Sequence, residues 1–374
     1  MQSEIDQRVN SVPDPGGSDP PDLTRFADIW RLIAVANLEG EEMDRMHQLV
    51  EGAIMGLVVG DALGVPAEFM SREELRESPV CEMIGGGAHG QLPGTWSDDT
   101  SMTLCTMDSL ISNGIDYDDQ MQRFSRWLWD AENTARDEVF DVGGTTKHAV
   151  FKFVKKIPAL ECGETAENTC GNGSLMRIIP TAMYLLGQNN ACELSDTTAE
   201  VIHNTSKCTH AHLKCQVACG IYCSVVFRMS TAGDLKDAVQ SGITHALSYY
   251  RGKTEFSPVL PEFETLREIE LWPEEDIQSG GYVIHTLQAA LWCLLNTDTY
   301  EGCVLKAVNL GRDTDTTAAV VGALAGMWYG EQRIPTSWKL LTVKYDEIKG
   351  KAREFYDACV ENMGGKKGAK SDCN

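Results

Sequence analysis

Two short segments carry an unusual density of oxygen ligands. Gly94-Thr95-Trp96-Ser97-Asp98-Asp99-Thr100 and Gly311-Arg312-Asp313-Thr314-Asp315-Thr316-Thr317 each lead from a glycine into an apolar stretch that reads as a helix. Each places two carboxylates and a hydroxyl at a helix N-terminus. Capping accounts for part of this, because Ser, Thr and Asp are preferred N-caps and carboxylates favour the positive end of the helix dipole. One cap needs only one side-chain oxygen, and each segment offers three or more. Carboxylates packed beside apolar helices cost free energy unless something cationic neutralises them. If the two helix starts meet in space, Ser97, Asp98, Asp99, Asp313, Asp315 and Thr316 form a set of hard oxygen ligands without His or Cys. That set suits Mg²⁺, Mn²⁺ or Ca²⁺ rather than zinc, and it exceeds what one Mg²⁺ usually takes from protein, so a pair of metals is expected.

Another carboxylate, Glu68, follows Pro66 in an otherwise apolar loop. It reads either as a surface residue or as a general acid/base tuned by its apolar setting. Gly171-Asn172-Gly173-Ser174 leads into Leu175-Met176-Arg177. A glycine-rich loop opening a helix presents backbone N–H groups to an anion such as a phosphate; an ordinary turn with an N-cap is the plain alternative. Ser279-Gly280-Gly281-Tyr282 repeats the arrangement. In Thr209-His210-Ala211-His212 the two histidines, at i and i+2 of a helix, would point to different faces. A stacking or hydrogen-bonding His210 is expected there, not a ligand pair.

The elements that must position these residues read as helices. Residues 46–63 form a nearly uninterrupted apolar helix with Gly52, Gly56 and Gly60 on one stripe. Glycine in a helix costs roughly 1 kcal/mol against Ala, so three at this spacing point to close backbone packing against another helix. Further helices are expected over 100–112, 117–129, 175–186, 199–228, 235–250, 282–295, 300–310 and 316–329, with one or two over 337–363. Residues 251–281 read as a long acidic connection, of the kind that is functional or poorly ordered. No alternating strands or βαβ rhythm occur. The expectation is one all-α domain over 22–362, between Pro/Gly-rich or Gly/Lys-rich tails at 1–21 and 363–374 that read as disordered.

Composition narrows the class of partner. The chain has 374 residues, 55 Asp plus Glu against 32 Lys plus Arg, and a net charge of −23. A polyanion needs a basic face, so nucleic acid and an anionic membrane surface are both disfavoured. A small anion remains allowed if dipoles or metals hold it. No run of about 18 apolar residues suggests a membrane span, and MQSEIDQRVN lacks the apolar stretch of a signal peptide. The 13 cysteines include no CxxC, and Cys215, Cys219 and Cys223 recur on one helix face. They read as reduced core thiols of a cytoplasmic protein.

Taken together, GAIMGLVVGDALGVPAEF (52–69), WSDDTSMTL (96–104), GNGSLMRIIP (171–180), the Thr209-His210 pair, SGGYVIHTLQAALWCL (279–294) and GRDTDTTAAVVGALAG (311–326) resemble the ADP-ribosylglycohydrolase family. The resemblance runs from about 46 to 335 and rests on the spaced combination of motifs. It implies a single compact orthogonal helical domain with a binuclear Mg²⁺ or Mn²⁺ centre. The family's hydroxyl–Asp–Asp motif falls on Ser97, Asp98 and Asp99, with Ser where several members carry Thr, and its Asp-x-Asp-Thr motif falls on Asp313, Asp315 and Thr316. Its catalytic glutamate falls on Glu68, with Asp99 the next candidate for proton transfer, and its diphosphate loop on Gly171, Asn172 and Gly173. Ser174, His210, Ser279, Gly280, Gly281 and Tyr282 join the expected substrate-binding set.

The implied reaction removes ADP-ribose from a mono-ADP-ribosylated protein and releases free ADP-ribose. SDDT, GNGSLMR and SGGYVIHTL look closer to the arginine-directed branch, so the N-glycosidic ADP-ribosyl-arginine bond is the expected target. A serine O-linkage, another ADP-ribose derivative, or a non-catalytic role like that of the family's J1-type crystallins are the alternatives.

Overall fold

The computed structural model describes residues 23–189 and 193–361. The chain divides into two units, Met1–Arg45 and Met46–Asn374, and the core and cavity described below belong to the second. The tails read as disordered, 1–21 and 363–374, lie outside the described residues. Regular structure among the described residues is helical, with isolated backbone bridges such as Gly171 with Tyr282 in place of a sheet. The helices are α1 (Leu23–Gly64), α2 (Arg72–Glu77), α3 (Asp98–Asn113), α4 (Tyr117–Asp130), α5 (Gly144–Val154), α6 (Ile179–Asn189), α7 (Asp196–Lys207), α8 (Leu213–Met229), α9 (Leu235–Arg251), α10 (Val283–Leu295), α11 (Tyr300–Val308), α12 (Thr314–Tyr329), α13 (Thr336–Leu341) and α14 (Tyr345–Val360).

A helix that is apolar all round must be covered on every side. The C-terminal half of α1, with α8, α10 and α12, meets that description and forms the centre of the core. The stretch Asp44–Ala67 is long and apolar enough to resemble a membrane span, yet 89% of its most apolar window is buried inside the protein. Cys215, Cys219 and Cys223 are buried on α8, and the cysteines among the described residues are free thiols.

The glycine stripe finds its partner in α12. A Cβ on Gly52 would lie 2.2 Å from the Gly326 carbonyl oxygen, one on Gly56 2.2 Å from that of Gly322, and one on Gly60 2.3 Å from that of Ala318. The pairing numbers run in opposite directions, so α1 and α12 are antiparallel with backbones in contact. At the end of the seam a Cβ on Gly64 would meet the Cα of Asp315 at 2.3 Å. The seam therefore delivers the end of one helix against the carboxylate-bearing start of the other. Tyr300 Oη adds a hydrogen bond to the Gly56 carbonyl at 2.8 Å.

Several stretches differ from the sequence reading: α2 and α5 lie where no helix was expected, and α1 begins at Leu23 and not at 46. The expected helix over 199–228 is two helices, α7 and α8, broken at Cys208–His212. Glu164 pairs with this turn, its N–H donating to Thr209 O and its carbonyl accepting from Ala211 N, while His212 caps α8 by accepting from Lys214 N. Helix α6 starts at Ile179 rather than 175, because residues 172–177 make turns and Pro180 fits only a first helical turn. The connection 251–281 is ordered 3₁₀ structure, chiefly Leu260–Leu271, with Phe263, Leu266 and Ile269 buried against α9 and α10.

The seam gives a stability prediction with a built-in control. Gly56→Ala forces a methyl into the Gly322 backbone and should cost about 2–3 kcal/mol or more. Gly350→Ala on α14, where a Cβ meets nothing within 4 Å, should gain about 0.5–1 kcal/mol from helix propensity. Urea denaturation midpoints should move in opposite directions.

Candidate metal and substrate site

Helix α3 begins under the control of a carboxylate from α1. Asp61 is fully buried and accepts hydrogen bonds from Ser97 N at 2.9 Å, Thr100 N at 3.0 Å and Thr100 Oγ1 at 2.6 Å. Ser97 itself is the N-cap and accepts from Asp99 N. With Asp61 occupied in capping, the carboxylates of Asp98 and Asp99 are left over.

The start of α12 is pinned from two sides. Thr314 Oγ1 donates to Gly64 O at 2.8 Å, and Asp313 N donates to Ser279 O at 3.0 Å. The Glu68 loop is clamped to the residue just ahead of α12. Phe69 N donates to Arg312 O and Arg312 N to Met70 O, each at 2.7 Å. Both Phe69 and Arg312 adopt positive φ, +69° and +70°. The two helix starts then touch: Thr316 Oγ1 donates to Asp99 Oδ2 at 3.2 Å, across 217 residues of sequence. One oxygen each from Glu68, Asp313 and Asp315 lies within 4.8 Å of the others.

This clustering is electrostatically costly as it stands. Burial, then the neighbouring carboxylates Asp141, Asp313 and Asp61, pushes Glu68 up to about 9. Burial raises Asp98, Asp99 and Asp315 well above the usual carboxylate range, with Asp99, Asp61 and Glu68 respectively the largest neighbouring charge. Asp61 rises to about 6 by burial, held back by its bonds to Thr100 and Ser97. Asp99 Oδ1 and Asp315 Oδ2 are buried and have no hydrogen-bond partner. Among the described residues no Lys or Arg lines the adjoining cavity, which Glu68, Asp98 and Asp313 border. Orphaned buried carboxylate oxygens beside other hard oxygens are what a divalent cation of the Mg²⁺ type requires. The donor set fits such an ion.

The cavity has a volume of about 240 Å³. Glu68, Asp98, Asp313 and Thr316 line one end, and Gly171, Asn172 and Gly173 the other. Asn172 Nδ2 joins the two ends by donating to Asp313 Oδ2 at 2.8 Å and Thr286 Oγ1 at 2.9 Å. Glycine is required at 173, where a Cβ would lie 2.7 Å from His210 Cε1. His210 is buried and its pKa is pushed down to about 3 by burial and then by Arg177, so the ring is neutral. Arg177 donates to Thr209 Oγ1 at 2.8 Å, which leaves the single Thr209 hydrogen for His210 Nδ1 at 2.9 Å. That network assigns the ring proton to Nε2, a donor facing the glycine loop.

Several expected binding residues sit elsewhere. Ser174 is turned into the core, where its hydroxyl meets Ser206 Oγ at 2.9 Å and Cys219 Sγ at 3.6 Å. Ser279 Oγ donates to Gly311 O at 2.7 Å and Leu310 O at 3.1 Å, so it braces the loop ahead of α12. Gly280 faces a different cavity, and Tyr282 Oη donates to Glu262 Oε2 at 2.7 Å. Of that segment only Gly281 lines the cavity. The sequence reading also missed residues. Asp61 caps α3, His89 Nε2 is hydrogen-bonded to Glu68 Oε2, and Asp141 with Gly143, Gly144, Thr145 and Thr146 forms another wall. The Asp141-Val142-Gly143-Gly144-Thr145-Thr146 run has an acid and glycines ahead of hydroxyls at a helix start, the pattern already noted in two other segments.

Residues 42–364 match the sequence model of the ADP-ribosylglycohydrolase family. The chain is 32% identical over 327 residues to the ADP-ribosylarginine hydrolase Tri1 of Serratia proteamaculans, covering 87% of this chain and 82% of that protein. It is 29% identical over 296 residues to the ADP-ribosyl-[dinitrogen reductase] glycohydrolase of Rhodospirillum rubrum, covering 78% and 90%. A solved chain described as an ADP-ribosylglycohydrolase-related protein complex superposes with a TM-score of 0.68 at 29% identity, covering 84% of this chain and 99% of that one.

Removing one carboxylate should separate repulsion from ligation. Asp315→Asn should raise the melting temperature of chelator-treated protein, because the cost of burying one clustered carboxylate, charged or protonated, is gone. Wild type should gain about 2.7 kcal/mol at a Mn²⁺ concentration of about 100 times its Kd, and the variant far less. Thermal melts with EDTA and with Mn²⁺ read both effects.

Proposed function

The chain belongs to the ADP-ribosylglycohydrolase family, and from that premise we propose that it hydrolyses the N-glycosidic bond between ADP-ribose and an arginine side chain of a modified protein, using a pair of Mg²⁺ or Mn²⁺ ions. The observation that carries this reading is the convergence of α3, α12 and Glu68 at one end of a cavity whose other end is a glycine loop. The ADP-ribosylarginine hydrolases among its relatives support the arginine linkage.

Asp98, Asp99, Asp313, Asp315, Ser97 and Thr316 are the residues that would hold the ions. When bound, such ions neutralise the clustered carboxylates and make a coordinated water more acidic.

The remaining work falls to the protein. The 171–173 loop offers backbone without side chains, and His210 offers an N–H, so that end of the cavity suits a diphosphate. Held there, the ligand is placed with its distal ribose toward Glu68. In the reaction the bond from C1″ to the arginine nitrogen breaks and a bond from C1″ to a water oxygen forms, through an oxocarbenium-like transition state. Glu68 takes the proton that the water gives up and passes it to the leaving guanidine, which ends with one proton more while the carboxylate returns to its starting state. The short contact to His89 keeps the carboxylate turned into the cavity.

Glu68→Gln preserves shape but removes the proton acceptor. It should lower kcat by about 10²–10⁴ while ADP-ribose binding stays largely intact. The assay is release of ADP-ribose from arginine-linked and serine-linked peptides, with and without EDTA. Faster release from the serine-linked peptide would overturn the linkage assigned here, and unimpaired turnover of Glu68→Gln would move proton transfer to another group, Asp99 first.

A further inference from the structure

Beside Glu68, a residue that lines the cavity, lies a group of residues that the reaction above leaves without a task. Phe69 is 63% exposed, although a large aromatic side chain gains stability only when buried. Its backbone is left-handed at φ +69°, a conformation that costs free energy in a residue with a Cβ. The hydrogen bond from Phe69 N to Arg312 O, with that from Arg312 N to Met70 O, nevertheless holds it in place beside Glu68. The His89 ring packs between Phe69, at 5.8 Å between centroids, and Phe140, at 5.2 Å. His89 Nε2 contacts Glu68 Oε2 and lies 3.8 Å from Asp141 Oδ1. Asp141 also sits at positive φ, +52°, and its carboxylate lines the cavity.

An exposed ring and a carboxylate, both at positive φ and both beside His89, are not explained by packing. Aromatic faces beside carboxylates form a receptor for a flat cation. Guanidinium stacks on aromatic rings and pairs with carboxylates through its planar N–H groups. The His89 imidazole, itself flat and bearing N–H, already shows that such a group fits among these side chains. A neutral alcohol, as on serine, would gain little from them.

We propose that Phe69, His89, Phe140 and Asp141 form the subsite that receives the substrate's guanidinium, on the leaving-group side of the bond to be cleaved. This rests on the arginine-directed reading and names the residues that enforce it. The subsite acts on the part of the substrate that free ADP-ribose lacks, which makes the two separable.

The test compares wild type with Phe69→Ala and Phe69→Trp. Phe69→Ala should raise KM for an ADP-ribosyl-arginine peptide about tenfold, in the range of one lost cation–π contact. Its kcat and its affinity for ADP-ribose should stay close to wild type, and agmatine should become a weaker competitive inhibitor. Phe69→Trp should keep the low KM. An unchanged KM in an otherwise active enzyme, or ADP-ribose affinity falling in step with KM, would overturn the subsite alone. A wild-type protein inert toward the arginine linkage would overturn the parent reading with it.

Discussion

Like charges held together in a buried place are the constraint on which the rest of this structure turns. Glu68, Asp98, Asp141 and Asp313 line a single cavity, Asp61, Asp99 and Asp315 are buried beside them, and burial opposes ionisation of each. Such a cluster repels itself and must be held by something stiffer than its own contacts. The stiffness comes from the seam between α1 and α12, where glycine lets backbone meet backbone and Gly64 abuts Asp315. Loop clamps then extend that rigid seam outward, Arg312 to the Glu68 loop and Ser279 to Asp313. A fold that spends packing and hydrogen bonds on keeping carboxylates close stores the free energy that a cation recovers on binding.

Much of this was legible in the sequence. The glycine stripe at spacing four called for a close helix partner, and the oxygen-rich helix starts called for each other. Both depend on local patterns with a plain physical reading. What stayed hidden depends on tertiary placement. Asp61 looked like one acid in an apolar helix, and only its bonds to Ser97 and Thr100 show that it caps a different helix. Asp141 and His89 lie in loops with no periodicity, and nothing local announces that they border Glu68. Ser174 and Tyr282 were misplaced for the opposite reason. Their neighbours line the cavity, but turn geometry sends Ser174 into the core and Glu262 draws the Tyr282 hydroxyl away. The break between α7 and α8 was missed because the stretch is helical by composition and is interrupted by Glu164, distant in sequence.

Under the proposed function, the same arrangement would reconcile a net charge of −23 with an anionic ligand. Among the described residues the cavity offers no Lys or Arg to a diphosphate. Attraction has to come from backbone N–H groups, the neutral His210 and whatever cations the carboxylates hold. Buried Arg177 contributes indirectly, by fixing the Thr209 hydroxyl and through it the His210 tautomer. In that reading the positive partners would come from backbone and solution, while the side chains supply negative charge and shape.

The claim that these carboxylates exist to hold cations is tested most directly by anomalous diffraction at the manganese edge, on crystals grown with Mn²⁺. The account predicts a pair of peaks roughly 3.5–4 Å apart, bounded by the carboxylates of Asp98, Asp99, Asp313 and Asp315. Ordered crystals with no manganese among those side chains, or with it only on the outer surface, would contradict it.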